Sequence, residues 1–142
     1  MPSFPDHFQA LRQQYFEPLC DELGLTAERY SEASSAGFAS VSATAGSVRI
    51  HFESDRGLCS FLVGFSGDER DLCRVEEFAE RFPRIRLLPE GQQRLSLDEQ
   101  AAFLRVRWAD LQVMFSPDHA GETRAWRAAK AAAYTRKFTP DT

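Results

Sequence analysis

SVRIHFESDRGLCSFLVGFSG, residues Ser47–Gly67, carries the pattern of a β-hairpin. Val48, Ile50 and Phe52 alternate with Arg49, His51 and Glu53, the period of two that buries one face of a strand. Ser54-Asp55-Arg56-Gly57 supplies the turn: Asp55 can close an Asx-turn and Gly57 can take φ > 0. On the return strand Cys59, Phe61, Val63 and Phe65 share one face, with Leu58 and Leu62 on the other. A strand apolar on both faces belongs inside a sheet rather than at its edge.

Upstream, LTAERYSEAS and GFASVSATAG set Tyr30, Phe38 and Val41 among small residues, with breakers at Ser34-Ser35-Ala36-Gly37 and Ala45-Gly46-Ser47. They read as two more strands and complete a four-stranded antiparallel meander, although so many Ser and Ala residues specify register weakly. Before them, Ser3 caps a first helix with Pro5 in its first turn, where a missing N–H costs nothing. Phe8, Leu11, Tyr15, Leu19 and Leu23 continue it at helical spacing, and Gly24 ends it. Pro18 donates no hydrogen bond and its ring clashes with the carbonyl four residues back. A kink, or a break and restart near Glu17, is therefore expected.

Downstream the period changes to that of helices. Ser66 or Asp68 can cap a helix over 69–82, with Leu72, Val75, Ala79 and Phe82 on one face, Phe78 beside them, and Glu76, Glu77 and Glu80 towards water. Pro83 stops it. RIRLLPEGQQR then makes a connection with room for one short strand through Ile85 and Leu87 and a turn around Pro89-Glu90-Gly91. Ser96-Leu97-Asp98-Glu99 fits a capping box. Leu97, Ala101, Leu104, Trp108, Leu111 and Phe115 carry that helix to Ser116-Pro117. A last, Ala-rich helix starts at Ser116 or Asp118 and runs to about Lys137, helical by propensity and anchored by Trp126. The expected architecture is α+β in a single domain over residues 1–142. A small antiparallel β-meander of about four strands is packed by an N-terminal helix and three C-terminal helices.

Composition narrows the class. A hydrophobic content of 43% with twelve Phe excludes a disordered chain. No apolar run approaches the roughly 20 residues of a membrane span. MPSFPDHF has neither the basic nor the apolar region of a secretory signal, so a cytoplasmic location is expected. Cys20, Cys59 and Cys73 are odd in number, form no C-x-x-C and have no nearby His, which speaks against a zinc site or a disulfide framework. They read as reduced packing residues. Fifteen Arg against two Lys point to a GC-rich bacterial genome. The net charge of −4 is uneven: residues 1–60 and 61–100 are acidic, and 101–142 carry four acids against seven bases. An acidic body suits a basic partner and disfavours nucleic acid.

No catalytic signature is present. G-x-S-x-G and the phosphate-binding glycine loops are absent, Ser60 reads as structural, and the acids of 68–80 form no calcium loop. Neither a cofactor nor a metal is expected. His7 and His119 have no ligand at metal spacing. His51 is more suggestive, since Arg49, His51 and Glu53 share a strand face beside the Asp55-Arg56 turn. A positioned His–Glu pair can do acid–base work near neutral pH. The plainer reading is a solvated strand face of mixed charge. These five residues, Arg49, His51, Glu53, Asp55 and Arg56, are the candidate partner-binding surface. On the last helix, Arg124, Arg127, Lys130, Arg136 and Lys137 could meet an acidic partner. Aromatic residues do not interleave them in the manner of RNA or single-strand DNA binders, and cations near a helix C-terminus simply complement its dipole.

Three segments carry a resemblance: FEPLCDELGL (Phe16–Leu25), SVRIHFESDRG (Ser47–Gly57) and LSLDEQAAFLRVRWADLQVMFSP (Leu95–Pro117). In layout the chain resembles the small immunity-like and uncharacterised α+β proteins found beside bacterial polymorphic toxins. That resemblance implies a cytoplasmic, non-enzymatic binder that occludes a basic toxin through an acidic surface, and it fixes no functional residue. The alternative is a type III secretion chaperone, also small, acidic and α+β, which would hold a secreted effector segment. Such chaperones return to strands after the middle helix, where this chain shows two long helices. An enzyme is the third option and rests on no convergent set of residues.

Overall fold

The computed structural model describes residues 4–33, 37–68, 71–80 and 95–138. Four eight-residue strands, β1 (Thr26–Ala33), β2 (Phe38–Ala45), β3 (Val48–Asp55) and β4 (Leu58–Phe65), form an antiparallel meander, and β5 (Cys73–Arg74) adds a fifth at the far edge in the order β1-β2-β3-β4-β5. A register shift between Ala27 and Arg29 marks a bulge in β1. The hairpin of the opening segment forms, its apolar faces coinciding, with Val48 opposite Phe65, Ile50 opposite Val63 and Phe52 opposite Phe61. Continued across β2, the same face carries Ala39, Val41 and Ala43, all buried. Small residues there leave room for large ones on the helices above.

Helices cover that face. The N-terminal run is α1 (Phe4–Leu11), a π-helical turn (Arg12–Phe16) and α2 (Glu17–Leu23). Pro18 produces no break; the π turn before it accommodates the strain, with the Glu17 N–H donating to the Arg12 carbonyl five residues back. Gly24 closes α2 in the left-handed conformation, φ 70°. Phe8 and Phe16 both meet Phe52 edge-on, at 5.6 and 6.1 Å between ring centroids, and Phe61 meets it at 4.8 Å. Edge-to-face contact sets the positive ring edge against the negative face, which favours this arrangement over a sandwich.

Over 71–80, the described part of the helix expected at 69–82, no α-helix forms. Cys73 and Arg74 instead pair with Val63 and Leu62, and a 3₁₀ turn follows over Val75–Glu80. Among the described residues the C-terminal helices are thus two, not three, and the strands five rather than about four. Glu76 and Glu77 do not simply face water: Glu76 accepts from the Leu95 N–H at 3.0 Å and Glu77 from the Arg74 N–H at 2.7 Å. The apolar spacing that suggests a helix here is met by the 3₁₀ turn, which buries Val75 and Phe78. Pro83, the strand through Ile85 and Leu87, and the Pro89-Glu90-Gly91 turn lie outside the described residues.

α3 (Leu97–Met114) starts at the expected capping box: Ser96 Oγ accepts from the Glu99 N–H at 3.2 Å and Glu99 Oε1 from the Ser96 N–H at 3.1 Å. Replacing Ser96 with Ala should cost about 1 kcal/mol, read as a lower urea midpoint at unchanged m-value. A loss below about 0.3 kcal/mol would mean that water replaces the cap at no cost. From α3, Gln100, Ala101, Phe103, Leu104 and Leu111 are buried, while Trp108 is only half-buried. α4 (Ala120–Phe138) begins later than Ser116 or Asp118, because Ser116 closes a turn with His119, Oγ to Nδ1 3.2 Å. Phe78 joins α3, α4 and the connecting turn through Phe103, Trp126 and Phe115, at 6.2, 5.4 and 6.2 Å. No described helix is long and apolar enough to cross a membrane.

β4 has a neighbour on both sides, but β5 covers only two of its residues. Gln100 extends the cover: its Oε1 accepts from the Phe61 N–H at 2.7 Å, and its Nε2 donates to the Leu95 carbonyl at 3.0 Å. A helix side chain thus takes the place of a missing strand partner at the sheet edge. Gly64 shows how closely the chain returns here, since a Cβ on it would lie 2.8 Å from the Asp71 carbonyl oxygen.

Candidate functional site

The five candidate residues lie along β3 and its turn, and the structure divides them into three environments. Arg49 is not a surface residue. It is 8% exposed and its Nη2 donates to the Ser66 carbonyl at 2.7 Å, tying the end of β4 to β3. It stands opposite Gly64, whose missing side chain leaves the space that Asp71 and Leu72 fill.

His51 and Glu53 face each other along the same strand, Nε2 to Oε2 3.3 Å, with side chains 16% and 28% exposed. Their cross-strand neighbours are Ser42 and Leu62 for His51, and Ser40 and Ser60 for Glu53. Serine, histidine and glutamate therefore meet on one sheet face. The arrangement lacks what acyl transfer demands. In a regular sheet the backbone N–H groups lie in the plane and are committed to the ladder, so none points outward to stabilise an oxyanion. Serines buried between longer neighbours are also poorly placed to attack a substrate; Ser40, Ser42 and Ser60 are all buried. The face is a hydrogen-bonding surface, half-covered rather than open.

Asp55 and Arg56 stand at the tip. Asp55 pairs with Leu58, leaving Arg56 and Gly57 as the two-residue turn, with φ 53° and 85°. Two positive φ values make this a type I′-like turn, whose sense matches strand twist. Asn, Asp or Gly would take the first position at lower cost; Arg56 is the sole described non-Gly residue with positive φ. It is locked there by its N–H, which donates to the Gly37 carbonyl at 2.8 Å and joins the tip to the neighbouring β1–β2 turn. Arg56 and Asp55 form an ion pair at 3.9 Å with side chains 87% and 61% exposed, a geometry that contributes little energy. Leu58, 60% exposed, completes the tip. Sequence reading placed Leu58 on a buried strand face and so omitted it from the site.

A second charged cluster escaped the sequence reading. Arg127 on α4 reaches Asp71 at 3.2 Å, Glu77 at 3.1 Å and the Leu72 carbonyl at 3.3 Å. Arg124 reaches Asp68 at 3.4 Å and lies over the Phe65 ring at 3.9 Å. These partners are 50 to 56 positions apart in sequence. The one signal available was the charge asymmetry, with an acidic 61–100 followed by a basic 101–142. Burial alone would lower the Arg127 pKa, yet it is raised overall, and at neutral pH the ionised partners that favour the guanidinium are the Glu77 and Asp71 carboxylates.

Among the described residues no group of three or more His, Cys, Asp or Glu could hold a metal ion. None of the three cysteines is in a disulfide, and Cys73 is buried. Burial, reinforced by Asp21, pushes the Cys20 thiol up to about 11, so it is a poor nucleophile at neutral pH. Comparisons with protein-family models, curated proteins and solved structures returned no match.

Proposed function

We propose that this protein is a non-enzymatic binding module of the immunity type, which neutralises a toxin by direct contact through the β3–β4 tip. The observation that supports this reading is Arg56: an exposed arginine held at φ 53° by a backbone hydrogen bond, beside an exposed Leu58. A non-Gly residue in the left-handed region costs of order 1–3 kcal/mol, and such strain persists where geometry at a functional site is at stake. The tip offers a cation, a carboxylate and an apolar side chain on a rigid hairpin, the mixture from which interface anchors are made. The net charge of −4 suits a basic toxin and speeds encounter with it.

Co-expression with the product of the adjacent gene, followed by gel filtration, tests the reading directly. A stable complex that abolishes the partner's toxicity is expected, and no complex with any adjacent gene product would overturn the proposal. Given a complex, Asp55→Arg and Leu58→Asp should each weaken binding by roughly tenfold or more with the melting temperature nearly unchanged. Unchanged affinity in both variants would remove the tip from the interface. Glu53→Arg is a less direct probe, because Glu53 also holds His51.

A further inference from the structure

α4 meets the rest of the molecule in an unusual way for a helix of 19 residues. Over residues 120–132 only Thr123 is buried; Ala125, Ala128, Ala129, Ala131 and Ala132 are all exposed, and Trp126 is half-buried. A docked helix ordinarily buries an apolar stripe. Among the described residues, α4 is held chiefly by polar contacts. Thr123 donates to the Met114 carbonyl at 2.5 Å, Arg127 grips Asp71, Glu77 and the Leu72 carbonyl, and Arg124 pairs with Asp68. Trp126 against Phe78 is the aromatic anchor. Cys73, fully buried, follows directly on the Asp71-Leu72 segment that Arg127 grips, and its thiol is pushed well above the ordinary value by burial while Arg127 and Lys130 pull the other way.

We propose that α4 is an ionic latch: it detaches from the body as a unit, with α1–α3 and the sheet still folded, and Arg127 is its fastening. Two physical features lead there. Ala-rich sequence keeps α4 partly helical when undocked, so release costs little local structure. Charge contacts, unlike buried apolar area, weaken as salt shortens the screening length from about 10 Å at 0.1 M to about 3 Å at 1 M. Release bares Cys73, Phe65 and Phe78, so the latch governs access to an apolar surface that is sealed when α4 is docked. This rests on α4 alone and is independent of what the hairpin tip binds.

Cys73 is the reporter. The intact chain is treated with N-ethylmaleimide at low salt and in about 1 M NaCl, with labelling of the Cys73 peptide followed by mass spectrometry. Amide exchange of β3 and β4 is measured in parallel. Cys73 labelling should rise at least about tenfold with salt while the strand amides stay protected, the sign of a sub-global opening. Arg127→Met should label as fast at low salt as the natural chain does at high salt, and Arg127→Lys should fall between. Labelling of Cys73 that tracks the strand amides at every salt concentration would overturn the proposal, since α4 would then leave only on global unfolding. The salt series on the unaltered chain decides the question even where Arg127→Met fails to fold.

Discussion

Phe52→Ala should remove about 3–5 kcal/mol of stability, enough to leave the domain partly unfolded at 37 °C. Phe52 is fully buried and receives Phe8, Phe16 and Phe61 around one ring. Truncation leaves a cavity bounded by the N-terminal helical run on one side and the sheet on the other, and neither can collapse without losing register. Phe52→Leu keeps most of the volume and should cost much less, about 1–1.5 kcal/mol. Urea unfolding followed by circular dichroism separates the two. Near-equal losses in both variants would mean that ring geometry rather than filled volume stabilises this part of the core.

The second strong effect is polar. Gln100→Leu conserves size and apolar packing, yet it strands the Phe61 N–H and the Leu95 carbonyl, both of which Gln100 serves. Each unpaired buried group costs about 1–3 kcal/mol, so a loss of about 2–6 kcal/mol is expected for the two. Exchange should also locate the damage: the Phe61 amide should lose protection ahead of the Ile50 and Phe52 amides of the neighbouring strand. Retention of full protection at Phe61 would show that another acceptor replaces the glutamine.

The contrast between these two residues explains how much was legible. Phe52 was visible because strand alternation is local: Val48, Ile50 and Phe52 declare their face within five positions. The Ser96–Glu99 box and Gly24 were equally local, and both form. Gln100 was invisible as a core residue, because only the placement of α3 against β4 turns a surface-type amide into a ladder partner. The failure over 69–82 has the same origin. Leu72, Val75, Ala79 and Phe82 satisfy helical spacing, but β4 has an edge to fill, Gly64 lets Asp71 and Leu72 cross closely, and Arg127 draws Asp71 and Glu77 towards α4. Tertiary demands outweighed a local period. In the candidate site, alternation put Arg49, His51 and Glu53 on one face correctly, yet burial separated Arg49 from the others and exposure added Leu58.

The π turn at Arg12–Phe16 has a consequence for how this chain can change length. Eight steps along a regular α-helix rotate through about 800°, which would leave Phe16 roughly 80° out of phase with Phe8. A π turn takes up one extra residue, about 100° of rotation, and brings the two side chains back within about 20° of a common line. That line points at Phe52. The π turn therefore absorbs one residue without changing the phase of the two rings: eight steps through it, like seven on a regular α-helix, present Phe8 and Phe16 to the same side. Gln13 and Gln14 are exposed; a chain one residue shorter there would regain a regular helix with seven steps, about 700°, between the rings and keep both within about 20° of that line, whereas one residue longer would swing Phe8 out of the core.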